Sequence, residues 1–255
     1  MGSRLILNTR GGYQFLPGIA PYSSGVISAP GHQLVHATLK KPLPWNTGLP
    51  AVRKYLENSG FSRFNLCGVE LRCPAPHAMS GFIEFNRGYR DLLEEWDMLV
   101  DGQNPLARTN VSPVVSPPGE TVLHGFSYSA PSELKETTFV VAGGGELPHR
   151  DLDDKHIVRF GETSEDALLE KARCVIEIMK IRLRQLKADE HTLSTIDVYT
   201  VHPIHRILND VIIPEITAAA RIGVHWYDTR PPVQNIEFEM DMRGVQTEVV
   251  VDLQS

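Results

Sequence analysis

The 255-residue chain reads as an α+β protein built from two tandem units. Three observations predict this. Apolar residues alternate in short runs bounded by Pro and Gly, the pattern of strands. Other stretches carry apolar residues at helical spacing. The order β-α-β-α-β-β then occurs twice, which marks an internal duplication. The division is placed after residue 123, giving an N-terminal unit over 1–123 and a C-terminal unit over 124–255.

The first unit opens with YQFLPGIAPYSSGVISAPGHQLVHATL, read as two antiparallel strands joined by a turn near Gly31. A helix follows, capped by Thr47, with Pro50 near its first turn, Val52, Tyr55 and Leu56 on one face, and Gly60 closing it. After a strand around Asn65 to Arg72, a second helix runs from Phe82 to about Leu99, where Phe82, Phe85, Tyr89, Leu92, Leu93 and Trp96 form a core stripe. NPLARTNV reads as a strand that enters a hairpin through SPPGE and returns from Thr121 toward Tyr128.

In the second unit TTFVVAGG is a strand, and the charged loop HRDLDDKH leads to an amphipathic helix from Ser164 to about Leu186, with Glu165 and Asp166 at its positive end. Ile196 to Val201 is a strand. HPIHRILNDVIIPEITAAARIG is a helix bent or restarted at Pro214 and closed by Gly223. NIEFEMDM and QTEVVVDL close the chain as a hairpin around Arg243 and Gly244. Laid over each other, the units match Asn86 with Asn209, Gly119 with Gly244, Arg108 with Val233 and Leu123 with Glu248, so their polar residues have diverged.

Composition narrows the function classes. Hydrophobic residues at 42% and charged residues at 22% fit a globular protein with real cores. A formal net charge of −6 gives no pull toward nucleic acid or an anionic membrane. No run of ~18 apolar residues spans a bilayer, and the N-terminus has no signal-peptide core. Cys67, Cys73 and Cys174 lack zinc-ligand spacing and are expected as reduced thiols of a cytoplasmic protein. His202 and His205 have no obvious third ligand, HRDLDDKH lacks EF-hand spacing, AGGGE is no P-loop, and no G-x-S-x-G elbow occurs. Neither metal nor organic cofactor is expected.

Arg108 is the first candidate site residue, because a guanidinium presents rigid paired donors that match a carboxylate. Backbone N–H groups near Gly143, where no side chain obstructs approach, could complete a carboxylate or oxyanion contact. For proton transfer Glu248 ranks first, alternating with Val249 and Val251 on its strand, and His124 second. Tyr22 is either a packing tyrosine or a substrate contact. Asn86, inside an apolar helix face, needs a partner and either pins a loop or touches ligand.

Three motifs in the first unit resemble the Rid (YjgF) family of reactive-intermediate deaminases. IAPYSSGV from Ile19 to Val26 is similar to the family's N-terminal signature, Phe82, Asn86 and Tyr89 to its helix pattern, and ARTNV with PPGE to its arginine segment. In the second unit TFVVAGGGE and PPV…RG…TEVVV resemble the family's glycine-ended strand and closing hairpin. The resemblance implies tandem chorismate-mutase-like domains, each a mixed sheet with two helices on one face, assembling in threes with sites at subunit clefts. It places the family's carboxylate-gripping arginine on Arg108, its tyrosine on Tyr22, its helix asparagine on Asn86 and Asn209, and its closing-strand glutamate on Glu248. Departures are Leu123 in place of a glutamate beside Arg108, Asn110 in place of a cysteine, and His36-Ala37 and Ala142-Gly143 in place of Ser-Gly.

The length and the diverged halves resemble tandem deaminases of aromatic degradation. The expected reaction is hydrolysis of an enamine or imine carboxylate, 2-aminomuconate or a substituted analogue, to the oxo acid and ammonia. A dicarboxylate calls for a second cation, with Arg63, Arg87, Arg206 and Arg243 as candidates. Alternatives are a generic 2-imino acid deaminase, a chorismatase-type hydrolase, and a non-catalytic carboxylate-binding regulatory module. If such domains close in threes, three chains supply six, so a homotrimer is expected.

Overall fold

A computed structural model describes residues 4–148 and 152–254. Its strands are β1 Ile6–Asn8, β2 Tyr13–Leu16, β3 Gly25–Ser28, β4 His32–Pro44, β5 Leu66–Arg72, β6 Ala107–Pro113, β7 Val122–Pro131, β8 Phe139–Gly145, β9 Thr195–Tyr199, β10 His225–Tyr227, β11 Thr229–Arg230, β12 Glu239–Gly244 and β13 Thr247–Val251. The helices are α1 Trp45–Asn58, α2 Met79–Glu95, α3 Glu165–Leu186, α4 His205–Ile207, α5 Ile213–Glu215 and α6 Ala219–Ile222. The strands form two mixed sheets, ordered β1-β2-β3-β8-β12-β9-β10 and β11-β6-β5-β7-β4-β13. The α+β class is therefore observed.

Periodicity explains the layers. Along β2, Leu16 packs with α3 while Tyr13 and Phe15 turn toward the other sheet. The stripe Ala172, Val175, Ile176, Met179 and Leu183 seats α3 on the seven-stranded sheet, where Ile207, Val211 and Ile216 join it. Leu49, Val52, Leu56, Tyr89 and Leu93 seat α1 and α2 on the six-stranded sheet. Helices thus cover the two outer faces. Between the sheets lies a smaller cluster that joins Tyr13, Phe15, Val26 and Ala142 to Leu34, Cys67 and Ala107.

Pairing corrects three expected hairpins. The turn at Gly31 exists, with φ +78°, but β3 and β4 on either side of it enter different sheets. The Arg108 strand, β6, pairs in parallel with β5, while β7 lies on the other side of β5, so SPPGE belongs to a crossover and not a hairpin. At the chain's end β12 is central in the seven-stranded sheet, and β13 pairs in parallel with β4 in the other. Strand periodicity marks a strand without naming its neighbour. The point between residues 123 and 124 falls inside β7, and each sheet contains strands from both parts of the sequence.

Helix ends differ by a few residues. α1 starts at Trp45 rather than after Thr47, whose hydroxyl donates to the Pro44 carbonyl, and Pro50 lies inside it. α2 begins at Met79 and stops at Glu95, ahead of Asp97 in the left-handed region at φ +53°. Ser164 caps α3 by accepting from the Ala167 amide. The expected helix around Pro214 is broken: a π-turn at Leu208–Ile212 joins α4 to α5, and Ile216 is extended before α6. Pro214 has no amide proton for the preceding turn, which accounts for the wider loop there. Among the described residues no helix is long and apolar enough to cross a membrane.

Candidate active site

The site begins with an irregularity in β8. Val141 pairs with Met242 and Gly144 with Met240, so Ala142 and Gly143 together oppose Asp241 alone. Such a bulge breaks the side-to-side alternation of a strand. Gly143 consequently faces Thr109 and Glu239, while Gly144 faces Met179 and Arg182 on α3. A methyl group on Gly143 would overlap the Glu239 carboxylate, so glycine here permits the carboxyl to lie against the backbone.

Above this bulge a cavity of about 190 Å³ is lined by Arg108 and Asn110 from β6, Glu239 from β12, Gly143 to Gly145, Tyr22 and Arg182. Its remaining wall is apolar and includes Phe82, Ile178, Val233 and Ile236. Arg108 and Asn110 are two residues apart on one strand and thus share a face.

Arg108 is 3% exposed. Its Nη2 donates to Asn86 Oδ1 at 2.5 Å, and Nη1 has no partner. The guanidinium carbon lies 4.6 Å from the Tyr22 ring centre and 4.8 Å from that of Tyr89, with Phe82 and Phe85 each at 5.7 Å. Four aromatic faces stabilise the cation without neutralising it. Burial lowers the Arg108 pKa, but a guanidinium remains charged in proteins. An orphaned buried charged donor at a cavity is the usual mark of a binding group for an anion.

Glu239 is also buried, and burial pushes its pKa up to about 8 against the pull of Arg182. It therefore holds its proton near neutral pH and can exchange it there. Asn110, 3% exposed, accepts the Cys73 thiol proton on Oδ1 at 3.2 Å, and its Nδ2 has no partner. The cavity thus combines a cation, an unpaired amide donor and a titratable carboxyl.

Of the residues singled out in the sequence, Arg108, Tyr22, Asn86 and Gly143 come together here. Asn86 acts on Arg108, while Asn209, its expected counterpart, is exposed in the π-turn. Glu248 and His124 do not line the cavity. They belong to a polar seam between the sheets. There Arg243 reaches Asp197 at 2.7 Å and Glu248 at 2.8 Å, and Glu70 meets His36 at 3.5 Å and Arg72 at 3.6 Å. Burial, reinforced by Arg72, lowers His124 to about 4. Burial works to raise Glu248, yet the Arg243 hydrogen bond keeps it below its ordinary value.

The four arginines considered for a second carboxylate lie elsewhere. Arg63 donates to the Trp96 carbonyl, Arg87 pairs with Glu84 at the surface, Arg206 with Glu165 and Asp210, and Arg243 belongs to the seam. His202 bonds Glu237 at 2.9 Å and His205 packs edge-on to Trp226. In the HRDLDDKH loop, His149 to Asp151 lie outside the described residues.

Sequence reasoning missed Glu239 and Arg182. The signal for Glu239 was Glu237, Glu239 and Asp241, three acids alternating in the sequence with Phe238 and Met240, which are fully buried. The signal for Arg182 was its place one helical turn beyond Ile178, on the flank of a buried stripe.

Fold and cavity define an α+β protein of two mixed sheets with an arginine-anchored cavity. The chain matches the family described as 2-aminomuconate deaminase CnbZ over residues 5–249, and it belongs to that family. It is 36% identical over 248 residues to the 2-amino-5-chloromuconate deaminase of Comamonas testosteroni, an alignment covering 94% of this chain and 96% of that protein. Among solved structures it is similar to a chorismatase, with 11% identity, 94% of this chain and 79% of that one covered, and a TM-score of 0.47. The YjgF gene product from E. coli is similar over 45% of this chain and 84% of its own, with 13% identity and a TM-score of 0.25.

Proposed function

We propose that the chain is a hydrolytic deaminase of an enamine or imine carboxylate, with 2-aminomuconate or a substituted analogue as substrate. One observation carries this reading: the unpartnered Nη1 of Arg108 and the high-pKa carboxyl of Glu239 line the same cavity. Family membership supports an enzyme acting on a C–N bond.

In this reading Arg108 holds the carboxylate next to the reacting carbon, and Asn86 fixes the guanidinium. An enamine substrate first shifts an N–H proton to its neighbouring chain carbon and becomes the imine tautomer, and Glu239 in its acid form then gives its proton to the imine nitrogen. The resulting carboxylate takes a proton from water as the oxygen adds to carbon. The carbinolamine then collapses: the C–N bond breaks, nitrogen leaves as ammonia, and the hydroxyl proton returns through Glu239. The sum is imine plus water to oxo acid plus ammonia, with no change of oxidation state. Tyr22 covers the cation, and Gly143 admits Glu239 to its place.

Ammonia release from freshly generated 2-aminomuconate tests the reading. Wild type should turn it over, and Arg108→Met should lower kcat/KM by on the order of 10³, the loss of a buried charge-assisted clamp. A wild type that binds carboxylates without releasing ammonia would sink it in favour of a binding module. The homotrimer belongs to the same proposal, and a sedimentation mass near three times 28.4 kDa checks it.

A further inference from the structure

Among the described residues, two members of the cavity lining keep a buried side-chain nitrogen without a hydrogen bond, Arg108 at Nη1 and Asn110 at Nδ2. They alternate on β6 with Thr109, whose hydroxyl turns the other way and donates to Asp241 at 2.6 Å. The carboxylate reading accounts for Arg108 and leaves Asn110 without a task. Its amide is nonetheless held in place. The Cys73 thiol, just beyond β5, donates to Asn110 Oδ1 at 3.2 Å and lies 3.2 Å from the Ser112 hydroxyl, which can donate to the sulfur in turn. Burial pushes the Cys73 pKa up, so the thiol keeps its proton. With Oδ1 taken by that donor, the protons of Nδ2 are left for the cavity. The reverse orientation would aim them at sulfur, a weak acceptor.

A carboxylate is an anion at every stage and is met by a charged donor. The oxygen of the adding water differs, being neutral before addition, neutral in the oxo acid, and negative only while its bonds change. A neutral, fixed amide donor suits that oxygen, and Arg108 and Glu239 are already engaged with the carboxylate and the nitrogen. We propose that Asn110 is a further catalytic residue, its Nδ2 donating a hydrogen bond to the oxygen that adds at the imine carbon, and that Cys73 is a positioning residue that fixes the amide. In the addition, oxygen bonds to carbon, a water proton passes to Glu239, and the C=N electron pair moves to nitrogen. Asn110 gives up no proton. The inference rests on the deaminase reading of the cavity. What it adds is the group that meets the oxygen and the thiol that aims it.

Turnover and equilibrium binding test this together. With 2-aminomuconate, Asn110→Ala should lower kcat by about 10²-fold and change KM by less than about threefold, the pattern of a donor used only in the transition state. The binding probes are muconate and 2-hydroxymuconate, which differ by one oxygen at the reacting carbon. Wild type should bind 2-hydroxymuconate about tenfold more tightly, and Asn110→Ala should abolish that difference while muconate binding stays within about threefold. Cys73→Ala should reproduce both selective losses at about 3- to 10-fold, and Cys73→Ser, which keeps a donor to Oδ1, should recover them, so the thiol variants decide even if Asn110→Ala does not fold. Equal weakening of both probes in Asn110→Ala or Cys73→Ala would overturn the proposal and make Asn110 a second donor to the carboxylate. Unchanged kcat and binding would reduce it to a packing residue, and no recovery in Cys73→Ser would overturn the positioning role. A wild type that releases no ammonia yet binds 2-hydroxymuconate through Asn110 would instead overturn the deaminase reading and leave the oxygen contact standing.

Discussion

Glu239 is a carboxyl whose chemistry is set almost entirely by what surrounds it. Burial raises its pKa to about 8, with Arg182 and Arg108 restraining the shift. If its acid form starts the reaction, kcat/KM should be level below that pKa and fall as pH rises through about 8. Glu239→Gln keeps the shape and loses the proton. It should lower kcat by about 10²- to 10⁴-fold and abolish the alkaline limb in a pH–rate profile. A variant retaining both rate and limb would remove Glu239 from the mechanism. The substitution also carries a stability signature. The folded carboxyl keeps its proton up to about 8, whereas the unfolded one releases it near 4.3, so wild type loses stability as pH rises across that window. Gln has no such loss. Glu239→Gln should therefore be more stable than wild type at pH 8, by on the order of 1–3 kcal/mol in urea unfolding, and alike at pH 4.

Among the elements, the bulge in β8 decides where the site forms, because it turns Gly143 toward Glu239 and Gly144 toward α3. Gly143→Ala would place a methyl on the Glu239 carboxyl, the movable end of a side chain, so the carboxyl and not the sheet gives way. Activity should fall by at least about tenfold with the melting temperature lowered by no more than a few degrees. Loss of the fold instead would show that the bulge itself cannot accommodate a side chain. Individual elements were legible in the sequence because their signals are local: the Ser164 cap, the α3 stripe and the alternation in β2 each depend on neighbours a few residues away. Their partners were not. EMDMRG and TEVVV look like two arms of a hairpin, yet burial separates them, since all six residues of β12 are buried and β13 alternates as an edge strand. The candidate site divided in the same way. Arg108, Tyr22, Asn86 and Gly143 were readable from motifs on single elements, whereas Glu239 and Arg182 reach the cavity through a sheet bulge and a helix seat that only the tertiary packing determines.

At the scale of the whole molecule, the two sheets are joined by a polar seam beside an apolar cluster, and this makes the fold sensitive to acid. Burial holds His36 below its ordinary pKa and lowers His124 to about 4, so the unfolded chain, whose histidines titrate near about 6.5, takes up these protons at a higher pH than the fold does. The unfolded state binds more protons in that window, and stability falls as pH drops from about 6.5 toward 4. Glu70 extends the loss. Burial opposes its charge, but His36 in its protonated form, Arg72 and Arg243 hold it at about 2, so its contribution is complete above about 4.3 and disappears as pH falls toward 2. His124→Gln removes one of these titrations without adding charge. The stability lost between pH 7 and pH 4, followed by urea midpoints, should shrink by about 1–2 kcal/mol in the variant, a figure discounted because His124 is only partly buried. Parallel wild-type and variant curves would mean that His124 is protonated as easily in the fold as outside it. Since His124 does not line the cavity, ammonia release at pH 7 should stay within about threefold of wild type. A seam that governs acid stability and a cavity that governs chemistry would then be separable by one substitution in each.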